Sequence, residues 1–552
     1  MSPLSRREFV AGGVALGAVA ATVPLTRVVP LLVGSPAGGT APEQVHCTFG
    51  ADPATSMVVS WASPEPQPRP ALRLGPATDG PDASVPVQPA SYRDGLSGAD
   101  VHLYHAVLDG LQPGTAYAYQ VSDGRRAEST FTGSFTTAPT GRARFRFTSF
   151  GDLATPNSAW MDSSPHAAPA VRAVESFAPL FHLLNGDLCY ANVNPATQPQ
   201  VWRDFANNVQ HSAAYRPWMP CLGNHEVEFG NGPQGYVAYL RRFLLPDNGL
   251  GDLRGRFYAF HVGSVLFVSL DADDVVYEDR GAFVPFDFSP PDRGPTIKGG
   301  TTLYVRGYSG HRQTAWLERT LSAGRRNPAV DWIVVQMHQN TASSTSRNTS
   351  DLGIREAWQP LFDRYEVDLV VAGHSHDYER SFPVRGVDHG EGRELAGGAR
   401  VDTLRPHPVR TDRADQVVDT TQGTVHLVLG GGGTSRPANV FGTSGRVTVE
   451  RARPTYDPRT GLWENGAPQA EEEAVWSAKR DVQDAYGVAV FDVDPGQGPW
   501  DRTSITMRYY HAPAATSGRA PYTLFDEVTF RRPRRDALQP ARSTPPAVAA
   551  GR

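Results

Sequence analysis

Five short polar blocks recur along the chain, each directly after an apolar run: Gly151-Asp152, Gly186-Asp187-Leu188-Cys189-Tyr190, Gly223-Asn224-His225-Glu226, Val335-Gln336-Met337-His338 and Gly373-His374-Ser375-His376. Together they supply seven potential metal donors: Asp152, Asp187, Tyr190, Asn224, His338, His374 and His376. Any one block is weak, since Gly-Asp is usually a turn and Gly-Asn-His usually a loop with a solvated histidine. The joint pattern is what constrains the fold. Donors spread over residues 152–376 can meet only where strand ends are gathered at one place. The set suits two adjacent metal ions, and two metals with an activated water form a phosphoester-hydrolysing site.

The flanking sequence agrees. Ala143 to Phe150, Leu180 to Leu184, Trp332 to Val335 and Val367 to Val371 are short apolar, partly β-branched runs bounded by Gly or polar residues. Such runs predict buried strands. From Ile354, the apolar positions Ile354, Ala357, Trp358, Leu361, Phe362 and Tyr365 share one face at a period of 3.6, which predicts a helix. Strand, polar donor, then helix, repeated, is an α/β layout with donors at the carboxyl ends of strands.

With these blocks the chain resembles the purple acid phosphatases, within the calcineurin-like metallophosphoesterases. Their pattern is G-D-x-G, G-D-x-x-Y, G-N-H-[ED], V-x-x-H and G-H-x-H. The chain departs from it at one place, where Ala154 stands for the second Gly of the first block. The resemblance spans residues 44–530 and implies two mixed sheets flanked by helices, preceded by a small all-β sandwich. It implies a first metal on Asp152, Asp187, Tyr190 and His376, and a second on Asn224, His338 and His374, with Asp187 bridging. The side-chain chemistry points the same way. The first set is anionic and oxygen-rich with a phenolate, and suits Fe(3+); the second, rich in imidazole, suits Zn, Mn or Fe(2+). Tyr190 separates this family from the wider superfamily. By resemblance His225 contacts the phosphate or the leaving-group oxygen; the plainer reading is that it only orients Asn224. The family's plant members carry further histidines beyond the fourth block, where this chain has Thr345-Ser346-Arg347-Asn348-Thr349. Arg347 either binds phosphate bidentately or is a solvated loop residue.

A chain of 552 residues exceeds one core of ordinary size. Acidic residues outnumber basic ones by only 57 to 52, so nothing marks a nucleic-acid partner. The Arg pairs at 325–326 and 534–535 read as solvated surface. Ser5-Arg6-Arg7-Glu8-Phe9 precedes an Ala- and Gly-rich apolar stretch, Val10 to Val23, and resembles a twin-arginine export signal. The stretch is short of the ~20 residues a membrane span needs, so no stable span is expected after cleavage. No lipobox Cys follows, and the expected location is periplasmic, cell-wall or secreted. Cys189 and Cys221, both expected beside the metals, either pair in an oxidising compartment or remain inert buried thiols. Cys47 reads as a strand residue of another domain.

The expected organisation is a signal and linker over 1–43, a fibronectin type III-like β-sandwich over 44–138, a catalytic domain over 142–532 and a disordered tail over 533–552. In the sandwich, Trp61 and Tyr119 are expected in the core. Residues 386–423 and 434–480 are polar, Pro/Gly/Arg-rich and poor in periodicity, and read as lids or loops. Gly430 to Gly433 reads as a strand-end turn rather than a phosphate cradle. Residues 486–493, 504–510 and 522–530 read as strands finishing the second sheet. The expected activity is hydrolysis of a small-molecule phosphate monoester by metal-bound hydroxide. The alternatives are a phosphodiesterase or nucleotidase of the same superfamily, and a non-enzymatic cell-wall binding protein.

Overall fold

The computed structural model describes residues 39–125, 129–278, 305–346, 348–410, 416–434, 445–451, 455–457, 462–464, 469–484, 486–512 and 522–538. The proposed export signal and Arg347 lie outside them.

Two seven-stranded mixed sheets form the larger part of the molecule. The first runs, in spatial order, through Trp218–Pro220, Phe181–Leu184, Phe145–Phe150, Gly487–Asp494, Arg502–His511, Thr523–Pro533 and Val417–Asp419. The second runs through Tyr258–Val262, Val265–Ser269, Trp332–Gln336, Leu369–Ala372, Val425–Leu429, Tyr378–Ser381 and Ser477–Arg480. Each has a parallel block: Phe145–Phe150 with Phe181–Leu184 and Trp218–Pro220 in one, Val265–Ser269 through Val425–Leu429 in the other. Parallel neighbours end at the same edge, so the residues after these strands are collected there.

The alternation of side chains along a strand explains the layers. In Trp332–Gln336, Trp332 and Val334 join the core between the sheets, while Ile333 and Val335 join a second core with Leu317, Leu321, Ile354 and Phe362. The first core is aromatic. Phe147 stacks on Phe491 at 4.5 Å and meets Phe267 of the opposite sheet edge-on at 5.2 Å. Gln336 crosses between the sheets, its Nε2 donating to the Leu184 carbonyl at 3.0 Å and the Met219 carbonyl at 3.1 Å.

A smaller all-β sandwich precedes these sheets. One layer holds Glu43–Phe49, Met57–Ser63 and Asp100–Leu108; the other holds Ala71–Pro76, Ala116–Ser122 and Thr130–Thr136. Trp61 and Tyr119 are fully buried in it, as expected for core residues. Its first strand lies along the helix Gln198–Ala213. The Val45 N–H donates to Gln210, Arg203 pairs with Glu43, and the Tyr119 hydroxyl reaches the Ala214 carbonyl at 2.8 Å.

Several sequence expectations need correction. The helix predicted from Ile354 is two short ones, Leu352–Ala357 and Gln359–Arg364, interrupted at Trp358. Pro360 lacks the N–H that would continue the first, although the apolar face stays buried. Residues 386–423 and 434–480 are not plain loops. Gly392–Glu394, Arg400–Val401, Arg446–Glu450 and Ala470–Glu473 form a five-stranded sheet with Ser350–Asp351. Its strands are too short to show a period in the sequence, and a fully buried Arg355–Glu472 ion pair anchors it. The strands after 486 complete the first sheet, not the second. Residues 533–538 are ordered, the last four as a 3-10 turn. Arg325 and Arg534 are not solvated: Arg325 is buried and pairs with Asp368, and Arg534 holds Asp536. All three cysteines are free, buried thiols, with burial pushing Cys47 up to about 12 and Cys189 and Cys221 well above the ordinary value. Among the described residues no helix is long and apolar enough to cross a membrane.

Candidate metal centre

The seven expected donors meet at the shared edge of the two parallel blocks, all buried. They form two knots. In the first, the Tyr190 hydroxyl lies 3.1 Å from Asp152 Oδ1 and 3.2 Å from His376 Nε2, and these two lie 3.3 Å apart. In the second, His338 Nε2 lies 3.0 Å from Asp187 Oδ2, 3.1 Å from Asn224 Oδ1 and 3.3 Å from His374 Nδ1. Donors bound ~2.0–2.2 Å from one ion stand ~3.0–3.5 Å apart, so both knots have the spacing of a coordination shell. The first knot holds three of the four donors expected for the first metal; Asp187, expected there as the bridge, makes its contact with His338 in the second.

Local backbone geometry is bent to achieve this. Asp152, Asp187, Tyr190 and His374 all have positive φ, at 60°, 50°, 59° and 68°. A non-glycine residue is seldom held there unless its surroundings over-determine it, and such residues cluster at functional sites. Ala154 is left-handed too, at φ 61°, which gives the reason for a glycine in the family's pattern at that place. The glycines that open the blocks allow contact instead. A Cβ on Gly223 would sit 2.5 Å from Asp187 Oδ1, and one on Gly373 would sit 2.6 Å from Asp152 Oδ2. The Gly430–Gly433 segment is a turn that buttresses the first block, Gly432 donating to the Gly151 carbonyl and Thr434 to that of Asp152.

The charge balance calls for a cation. Burial opposes ionisation of Asp187, yet His338 and His225 beside it hold its carboxyl below the usual range. Burial would lower His338, but the Asp187 and Asp152 carboxylates override it and raise the ring to about 10. Burial and then the same two carboxylates push the Tyr190 phenol well above its ordinary value. The two buried carboxylates thus favour protons on His338 and Tyr190, and a metal would displace those protons. The residues present fit two ions by donor type, spacing and charge.

Supporting residues orient the donors. His338 Nδ1 donates to the Asn185 carbonyl at 2.7 Å, which turns Nε2 toward the knot. Glu226 is the largest omission of the sequence reading. Its carboxylate accepts the N–H groups of Asp187, Leu188 and Gly223, each at 2.8 Å, and so locks the second block to the third. Its place in the Gly-Asn-His-Glu run was the available signal. His225 lies beside the knots, partly exposed, its ring 4.5 Å from that of Tyr190. Its Nδ1 pairs with Asn192 Oδ1 at 2.8 Å, and burial lowers its pKa despite Asp187 and Asp162 nearby. Asn192 was also missed.

Residues 42–137 match the N-terminal domain of purple acid phosphatases, and residues 145–378 match the calcineurin-like phosphoesterases. An uncharacterized protein of Mycobacterium tuberculosis strain H37Rv is 43% identical over 512 residues, covering 90% of this chain and 88% of its own length. An Arabidopsis thaliana protein named Fe(3+)-Zn(2+) purple acid phosphatase 12 is 23% identical over 350 residues, covering 63% of this chain and 66% of its own. Among solved structures, a purple acid phosphatase from yellow lupin (Lupinus luteus) seeds superposes with a TM-score of 0.60 at 18% identity, covering 91% of this chain and 76% of its own. The chain belongs to the purple acid phosphatase family of calcineurin-like phosphoesterases. That membership supports a phosphoesterase enzyme, in a family that binds a dinuclear metal centre.

Proposed function

We propose that the protein is an exported acid phosphatase that hydrolyses phosphate monoesters. In this reading Fe(3+) is held by Asp152, Asp187, Tyr190 and His376. A divalent ion, Zn, Mn or Fe(2+), is held by Asn224, His338 and His374 with Asp187 shared. The observation that carries the reading is the grouping of these side chains into two knots at coordination spacing. The name of the Arabidopsis relative supports the pairing of iron with a divalent ion. When bound, the ions supply an activated water and Lewis-acid charge for the phosphoryl oxygens. The protein's own contribution is order. Glu226 and Asn185 fix the donors, and His225, tied through Nδ1 to Asn192, leaves Nε2 to hydrogen-bond the phosphate or leaving-group oxygen. Arg347 remains a candidate phosphate contact. Export by the twin-arginine route rests on Arg6-Arg7 and the apolar stretch after it.

The test is metal content, visible absorption and turnover on purified protein. A tyrosinate on ferric iron should give a violet charge-transfer band that Tyr190→Phe removes. A colourless, iron-free but fully active enzyme would overturn the assignment of Fe(3+) to Tyr190. A rate on a bis-ester exceeding that on the matching monoester would place the activity with the phosphodiesterases instead.

A further inference from the structure

His374 has two ring nitrogens, and the second knot uses only one. Nδ1 faces His338 Nε2 at 3.3 Å, while Nε2, at the far corner of the ring, lies 2.5 Å from Glu278 Oε2, an ion-pair contact without the alignment of a hydrogen bond. Both side chains are largely withdrawn from solvent, at 3% and 11% exposure. Glu278 belongs to none of the five blocks and stands far from His374 in sequence.

Its placement is built. The Asp351 carboxylate accepts the Tyr277 N–H at 2.8 Å and the Glu278 N–H at 2.8 Å. The same carboxylate caps the helix Leu352–Ala357 by accepting the Gly353 N–H at 2.7 Å. Arg306 lies 3.8 Å over the Tyr277 ring and donates to the Val275 carbonyl. A Cβ on Gly353 would fall 2.1 Å from that carbonyl, so helix and segment are in tight contact. Two elements and one buried aspartate therefore deliver a carboxylate to the back of the imidazole. An imidazole that ligates through one nitrogen carries its proton on the other. A carboxylate set against that nitrogen favours this tautomer by its charge, crowds the ring into place and strengthens the ligating nitrogen.

We propose that Glu278, anchored by Asp351, is the positioning residue for His374 and sets how tightly the second knot holds its divalent ion. The proposal rests on the metal-centre reading above. It concerns affinity at one of the two sites, so the test is not activity alone.

The experiment uses the full chain loaded with iron and zinc. Zinc affinity is measured by chelator competition, with iron counted and the violet band recorded on the same samples. Glu278→Ala should weaken zinc about 10- to 100-fold, with iron and band unchanged. Glu278→Gln, which keeps the packing against the ring without the charge, should recover part of the loss. Asp351→Asn should fall between wild type and Glu278→Ala. Zinc affinity within twofold of wild type in both Glu278 variants would overturn the proposal. So would equal loss of iron and zinc, which would mean general collapse of the site. A wild-type protein that binds neither ion would bring down the metal-centre reading itself, and this proposal with it, a result distinct from either.

Discussion

The β-sandwich and the metal centre are built on opposite principles. In the sandwich, local preference and global packing agree. The strand Ala116–Ser122 alternates buried positions with half-buried or exposed ones, and Trp61 stacks on Tyr104 in the sandwich core. Among the described non-glycine residues of 43–138, only Gln44 has a positive φ. At the metal centre, Asp152, Ala154, Asp187, Tyr190 and His374 are all left-handed, and carboxylates are packed against one another's neighbours in the interior. A left-handed non-glycine residue costs roughly 1–2 kcal/mol. The sandwich thus stabilises itself by apolar burial. The centre is held against its own preferences by the two sheets and by supporting residues such as Glu226. Mutations should therefore separate function from stability according to region.

The largest expected effect is at Asp187, the proposed bridge. Asp187→Asn should deplete both ions and reduce turnover on the order of 1,000-fold or more, since several kcal/mol of charge stabilisation are lost. Metal counting on His374→Ala and His376→Ala sharpens the point. The first should lose mainly the divalent ion and the second mainly iron, and equal loss of both ions in both variants would abolish the division into knots.

Next is His225, which neighbours a donor without facing either knot as one. His225→Ala should keep both ions and the fold while losing about 100- to 1,000-fold in turnover, the usual effect of deleting one transition-state donor. If the ring also protonates the leaving group, the deficit should shrink for a nitrophenyl ester. Normal turnover with both ions bound would remove His225 from catalysis, and loss of metal would make it a prop for Asn224.

Trp61→Ala tests the other side of the comparison. Emptying the sandwich core should lower stability by about 3–5 kcal/mol, while folded molecules retain metal content and turnover. A parallel fall in metal per folded molecule, read by calorimetry with metal analysis, would show that the two regions are one energetic unit.

The smallest effect is expected at Ala154. Ala154→Gly relieves a left-handed alanine but loosens the unfolded chain, for a net gain of about 0.5–1 kcal/mol. Denaturant midpoints would show it, and a destabilised variant would mean that the buried methyl outweighs the strain.

Much of the centre was legible because its donors lie in runs that carry their own context. An apolar strand and a donor recur five times, four times with a glycine between them, and the residue types suit hard and softer metal chemistry. The supporting residues were not legible. Glu278 and Asn192 are ordinary polar residues until a loop or a short helix places them 2.5 Å from His374 Nε2 and 2.8 Å from His225 Nδ1. The insertion sheet was missed because strands of two to five residues are below the length at which alternation can be read. The buried arginines were missed because Arg325 gains its place from Asp368, a partner 43 residues away.

By itself the sequence determined which side chains can bind metal, the strands that end at them and the alternating core of the sandwich. Those properties follow from residue chemistry and short-range periodicity. Only the tertiary structure decided that the late strands join the first sheet, that Arg325 and Arg534 are held rather than solvated, and that Glu278 stands behind His374. These depend on contacts between distant segments, whose free energy is set by the packing of the whole chain and leaves no local pattern behind.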